Sequence, residues 1–245
     1  MLPSASKVEQ IAGVILEMIK ADAFPEGRLL SEPKLASQLG VSRTTIRQAL
    51  ANLEQDGILL RKHGAGTYVN QRVLNIGSRL EEVWDFVEMI QFSGAKPGVQ
   101  HISLSLETAS EKLIEKLALS AGEEVLATTN VFKADDVPVI YCLDVIPASL
   151  VRSAYRAEEL HGPVYDFLEK RCGQRVDHNI TEVCPVVAGY LISRRLNCKP
   201  GSPLHYFEEV AFNAVEMPVM YSEEYYRPEY FSFNVIRKMA THSRL

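Results

Sequence analysis

The sequence predicts an α+β fold in two parts: a small helical domain over residues 1–70 and a larger strand-rich domain over residues 79–245, joined by a linker at 71–78. Three observations predict it. Apolar residues recur at helical spacing as far as Leu53, whereas from Val99 onward strand-like and helical runs alternate. Charge divides the chain in the same way. Residues 1–75 hold nine Lys/Arg against seven Asp/Glu, a net of +2, and the remaining 170 hold 17 against 24, a net of −7. With 47% apolar and 23% charged residues, the chain has the composition of a globular protein with a real core rather than a disordered one.

Each element has a local cause. Residues 4–21 read as a helix that Ser4 or Ser6 caps, with Val8, Ile11, Val14, Ile15, Met18 and Ile19 recurring at three- and four-residue steps, stopped by Phe24-Pro25-Glu26-Gly27. Ser31 is the expected cap of a short second helix, with Pro33 in its first turn and Gly40 at its end. Ser42 caps a third, whose inward stripe is Ile46, Ala49, Leu50 and Leu53, and Gly57 ends it. Strand-like runs 58–62 and 67–69 flank the turn His63-Gly64-Ala65-Gly66. A helix, a helix-turn-helix and a β-hairpin make a winged helix. Beyond the linker, helices are expected at 80–92, 110–119, 163–171 and 188–196, and strands at 99–106, 125–132, 139–146, 176–187, 204–212 and 219–226.

The third helix carries chemistry suited to a nucleic acid. Arg43 and Arg47 lie four residues apart on one face, positioned for guanine edges or phosphates, and Thr44 and Thr45 offer hydroxyls at a helix N-terminus that attracts anions. Lys62, His63 and Gly64 at the wing tip combine positive charge with room for close approach to a minor groove. In isolation an arginine pair is an ordinary solvated face. The capped helix before it and the hairpin after it weigh against that reading here.

Residues 26–69, from Glu-Gly-Arg-Leu-Leu-Ser-Glu-Pro-Lys-Leu-Ala through Val-Ser-Arg-Thr-Thr-Ile-Arg-Gln-Ala-Leu to Gly-Ala-Gly-Thr-Tyr-Val, resemble the winged helix of the GntR family of bacterial repressors. The resemblance implies operator contacts at Glu32, Arg43, Thr44, Thr45, Arg47, His63 and Gly64. Pro33 stands where the family usually places an arginine, which implies an altered operator sequence. The remainder resembles the HutC branch, whose effector (UTRA) domain has a chorismate-lyase-like α+β fold, rather than the branches with all-helical or aminotransferase-like extensions. The partners this implies are a pseudo-palindromic double-stranded DNA operator, a small-molecule effector and a second copy of the chain, a homodimer held by the acidic domain.

Carried over residue by residue, the effector pocket is bordered by Asn130, Phe132, Cys142, Tyr165 and Tyr226. Sugar-phosphate-responsive members have arginines at the positions of Asn130 and Phe132, a glutamate at Cys142 and an acid at Met220. Their absence implies an effector that is less charged, more apolar and not a sugar phosphate. Asn130 and the two tyrosines would supply hydrogen bonds, and Phe132 and Cys142 an apolar wall. The plainer alternative is that Phe132, Cys142 and Met220 simply pack the core.

Enzyme readings find little support. The six histidines lack H-x-x-x-H or H-E-x-x-H spacing, and there is neither a G-x-S-x-G elbow nor a Walker A loop. His178, Cys184 and His205 read as satisfied or solvated side chains rather than as metal ligands. No metal, cofactor or catalytic residue is expected. The alternative function is a small-molecule-binding or lyase-like protein whose winged helix serves protein contacts. Four cysteines without C-x-x-C spacing, no apolar run near the roughly 18 residues of a membrane span, and Glu9, Gln10 and Glu17 within the first helix lead to an expected cytoplasmic, membrane-free setting.

Overall fold

The computed structural model describes residues 6–62, 64–74, 79–162 and 164–237. The chain divides into two compact units, residues 1–77 with 234–245, and residues 78–233. The described residues 234–237, counted by sequence with the larger domain, thus group with the smaller unit.

In the smaller unit, α1 (Lys7–Lys20) starts in a capping box: Ser6 Oγ accepts from Glu9 N–H at 3.2 Å while the Glu9 carboxylate accepts from Ser6 N–H at 2.7 Å. Helices α2 (Glu32–Leu39) and α3 (Arg43–Gln55) meet at Gly40, whose φ of 64° ends α2 in the left-handed region that glycine enters without strain. Ser31 occupies the expected cap position with extended backbone, but its side chain makes no capping hydrogen bond. Ser42 does cap α3, accepting from Thr45 N–H at 3.1 Å. Strands β1 (Leu59–Lys62) and β2 (Gly66–Val69) pair antiparallel. The α1–α2 connection adds to β2 through the Arg28–Tyr68 bridge and Leu29 N–H to Thr67 O at 2.9 Å, and the short α4 (Gln71–Leu74) follows. Ile15, Leu35, Ile46, Leu50, Leu53 and Leu59 fill the core. Burying each contributes roughly 1.5–3 kcal/mol.

The larger unit is a six-stranded antiparallel sheet in the order β3-β4-β5-β8-β7-β6. Its strands are β3 (Pro97–Thr108), β4 (Glu124–Ala134), β5 (Val137–Pro147), β6 (Val176–Val187), β7 (Pro203–Asn213) and β8 (Pro218–Tyr226). Among the described residues four α-helices accompany it: α5 (Phe86–Phe92), α6 (Glu111–Leu117), α7 (Val164–Phe167), which widens into a π-helical turn at Leu168–Cys172, and α8 (Tyr190–Arg195). The helix expected over 80–92 is shortened because the Asp85 carboxylate accepts from Val87 N–H at 2.7 Å and Glu88 N–H at 3.3 Å and so fixes the start.

The two faces of the sheet have different partners. Leu113 and Leu117 of α6 pack on Val125, Ala127, Val145 and Tyr221. On the opposite face, Met89 and Ile90 of α5 join Phe132, Ile140, Phe207 and Tyr226 in one apolar cluster, and Val164 to Cys172 join Leu126, Ile146, Ala211 and Met220 in another. Between these two clusters, on the same face, the strands carry polar residues.

Candidate DNA interface and effector site

The residues expected to face DNA come from α2, α3 and the wing. Arg43, Thr44 and Arg47 are exposed on α3 while Ile46, Ala49 and Leu50 face the core, as the helical period requires. Arg47 is held across the helix-turn-helix: its Nη2 and Nε donate to Glu32 Oε2 at 3.1 and 3.3 Å. Glu32 therefore orients Arg47. The Thr45 hydroxyl is 2.8 Å from Ser42 Oγ, so it belongs to the cap of α3 as well as to its first turn. Lys62 and Gly64 are exposed at the wing, and Lys62 Nζ sits 4.5 Å from the Tyr68 ring centre, a cation–π contact that stiffens the hairpin. His63 lies outside the described residues. Arg28, which sequence reading passed over, brings its guanidinium beside Gly66, with Nε 3.5 Å from where a Cβ would stand.

In the larger unit, strand register brings together most of the residues expected at the effector site. Asn130 pairs with Cys142 and Cys142 with Glu224, while Phe132 pairs with Ile140 and Ile140 with Tyr226. Asn130, Phe132, Cys142 and Tyr226 thus share one face, and Tyr165 reaches the same region from α7. Most of their polar atoms already have partners. Asn130 Nδ2 donates to Leu160 O at 3.0 Å, and its Oδ1 is 3.1 Å from His101 Nδ1, whose ring stacks on His161. Cys142 Sγ–H donates to Asp144 Oδ1 at 3.3 Å, the Tyr226 hydroxyl donates to Glu224 Oε2, and the Tyr165 hydroxyl accepts from Asn179 Nδ2 at 3.0 Å. Phe132 packs edge-on against Phe86 at 4.6 Å. Pro163, at the expected start of the helix, lies outside the described residues.

The expected uncharged wall misses three carboxylates. Asp144, Glu209 and Glu224 belong to the same face of β5, β7 and β8, where Thr128, Asp144, Ser222, Glu209 and Thr181 form one cross-strand row. Asp144 is 4% exposed and Glu224 6%. Burial pushes Asp144 up to about 6, against hydrogen bonds from Ser222 and Cys142 that favour its charge. Burial, and after it the charge of Glu209, lifts Glu224 well above the usual carboxylate range, and burial also raises Glu209. Tyr165 feels the same group: burial and then the charges of Glu209 and Glu224 drive its hydroxyl well up. Tyr165 also lines an open cavity of about 360 Å³ with Asp85, Glu88, Glu169, Arg175 and Asp177.

Family models match both units: "UTRA domain" over residues 93–232 and "Bacterial regulatory proteins, gntR family" over residues 7–69. The transcriptional regulator YurK of Bacillus subtilis is 27% identical over 216 residues, covering 86% of each chain. NagR, a transcriptional repressor of the same organism, is 26% identical over 224 residues, covering 89% of this chain and 91% of its own. Among solved structures, YydK of Bacillus subtilis superposes with a TM-score of 0.77 at 20% identity over 96% of this chain and all of its own. PhnF of Mycobacterium smegmatis gives 0.59 at 21%, over 87% and 92%. Both structures share the α+β architecture described above. No helix among the described residues is long and apolar enough to cross a membrane. A helix-turn-helix presenting two arginines, followed by a six-stranded α+β module with a polar band in its core, therefore has its counterpart in transcriptional regulators rather than enzymes, and the chain belongs to the GntR family of bacterial regulatory proteins, among those that carry a UTRA domain.

Proposed function

We propose that the chain is a cytoplasmic, ligand-responsive repressor that binds a pseudo-palindromic operator as a homodimer and leaves it when a small metabolite enters the larger unit. The observation that carries this reading is α3, capped by Ser42, with Arg43, Thr44 and Arg47 exposed and Arg47 aimed by Glu32. One such helix reads a single half-site, so a two-fold pair doubles both contact and sequence information. That NagR is a repressor supports the sign of regulation. The effector site is assigned to the face that carries Asn130, Cys142, Asp144, Glu209, Glu224 and Tyr226. There a few polar groups converge within an otherwise apolar core, the make-up of a small-molecule site. Footprinting of the DNA flanking the chain's own gene tests the proposal. Two protected half-sites, centred one helical turn or a multiple of it apart, are expected, and protection without any two-fold element would refute the dimeric reading.

A further inference from the structure

The five carboxylates of β5, β7 and β8 fall into two groups that the fold treats in opposite ways. Glu208 and Glu223 lie on the outer face of β7 and β8 beside α6. Lys112 reaches both, at 2.8 and 3.0 Å, and Lys116 pairs with Glu208 as well. Glu209 and Glu224 are the next residues along the same strands and so face the other way, where Asp144 lies with them. Among the described residues, no lysine, arginine or histidine forms an ion pair with any of these three. Their hydrogen bonds come only from neutral groups: Ser222 and Cys142 to Asp144, Asn179 and Thr181 to Glu209, and Tyr226 to Glu224. A second and independent feature points the same way. Asn179 Oδ1, beside Glu209 and Tyr165, is a buried acceptor without a donor. The band therefore holds no paired positive charge and leaves one buried acceptor without a donor.

Resting on the assignment of this face as the effector site, we infer that the effector is an organic cation, a protonated amine or guanidine on an apolar frame, whose N–H groups are shared among Asp144, Glu209 and Glu224. Its charge would supply what the fold withholds, since a buried carboxylate is costly until it is paired. The apolar frame fits the clusters on either side, around Phe132 and Tyr226 at one end and Phe167 and Met220 at the other. A bare metal ion fits poorly: the three carboxylates stand on three strands, and among the described residues no three His, Cys, Asp or Glu side chains come close enough to ligate one ion, whereas the spread N–H groups of a guanidine can reach carboxylates on different strands. Tyr165, which accepts from Asn179, also lines the open cavity where Asp85, Glu88, Glu169 and Asp177 outnumber Arg175, a sign of charge that concentrates cations nearby.

The test uses the full-length protein, thermal melting and operator release. The probes are phenethylamine, agmatine and glucosamine, set against 2-phenylethanol, glucose, glucose 6-phosphate, benzoate and Mg²⁺. At saturation an amine or guanidine is expected to raise Tm by about 5 °C or more and to release the operator, while its uncharged counterpart does neither. Glu209→Gln, at a half-buried position, should weaken the response at least roughly tenfold, as should Asp144→Asn with Glu224→Gln. Glu208→Gln on the outer face should leave the response intact. The cationic class is overturned if alcohols match the amines, if Mg²⁺ alone gives the shift, if the inner-face variants respond like the wild type, or if no amine or guanidine shifts Tm. A response to glucose 6-phosphate or benzoate alone would overturn the cation while leaving the effector reading standing. An amine that stabilises the protein without releasing the operator would do the reverse.

Discussion

Arg47 projects from the exposed face of α3 with its guanidinium already oriented by Glu32, 3.1 Å away, so part of the ordering required for DNA contact is present in the free protein. Arg43 lies one turn earlier, without such a clamp among the described residues. Replacing either by alanine is expected to weaken specific binding by about 1–3 kcal/mol, the scale of a lost base contact. Glu32→Gln keeps the arginine but loosens it. An exposed pair contributes about 0–1 kcal/mol, so the loss should stay below tenfold. Fluorescence anisotropy on the footprinted operator measures all three, and full affinity in both arginine variants would remove α3 as the reading helix. Asp144 governs a different property. Folded, it holds its proton up to about pH 6, whereas unfolded it releases it near 3.8. Between these values the folded state binds more protons, so stability falls as pH rises from about 4 to about 6 and then levels, a loss on the order of 3 kcal/mol. Glu208 works oppositely. Burial alone would raise it, but the bonds from Lys112 and Lys116 hold it at about 2, so its contribution is present above pH 4.5 and is lost as pH falls toward 2. Melting curves from pH 4 to 7 should show the decline in the ligand-free wild type and a flatter profile in Asp144→Asn. Parallel profiles would mean that Asp144 titrates normally.

The ends of α2 and α3 show how one backbone requirement can carry two different penalties. Gly40 and Gly57 both have positive φ, at 64° and 76°, but a Cβ on Gly40 would meet open space, whereas on Gly57 it would stand 3.2 Å from Ile236 Cδ1. Gly40→Ala should therefore cost only the left-handed strain, roughly 1–2 kcal/mol. Gly57→Ala adds the displacement of Ile236 from the core it packs against and should lower Tm further. Combining Gly57→Ala with Ile236→Ala should recover the extra loss as a positive coupling. Equal melting points for the two glycine variants would mean that Ile236 does not rest there. The contrast also marks what the sequence reveals. Caps, glycine stops and the hairpin are local signals, so the helix-turn-helix and wing could be read residue by residue. The strands of the larger domain could be read from alternation and turns. The place of Ile236 could not, because nothing local in residues 234–237 records which core they join. The inward carboxylates were missed for a related reason: facing direction depends on register and on partners far away in sequence. A signal did exist. Glu208-Glu209 and Glu223-Glu224 are adjacent pairs inside strands, and strand alternation places one member of each pair on either face.

At the scale of the molecule, the net charge of −5 conceals the distribution that DNA binding needs. The acidic larger unit repels a polyanion, so attraction must come from the few cations of the smaller one, and it should be correspondingly sensitive to salt. The chain passes between its two units twice, between residues 77 and 78 and again between 233 and 234, so a ligand-dependent change in the larger unit has two covalent routes to the smaller. Ligand can act along them only by binding the DNA-competent and released states with different affinity. Salt dependence then separates the dimeric reading from a monomeric one. Arg43, Arg47 and Lys62 give three exposed candidate cations per copy. If two copies engage one operator and all six cations contribute, log K should fall with log salt at a slope of about −5, and a single copy would give about half that. The measurement is operator affinity from 50 to 200 mM KCl, repeated with Lys62→Ala. Loss of one cation per copy should flatten the slope by about 2 in a dimer and by about 1 in a monomer. Because the change in slope counts copies, a flattening of about 1 would exclude a symmetric pair on the operator even if the protein were dimeric in solution.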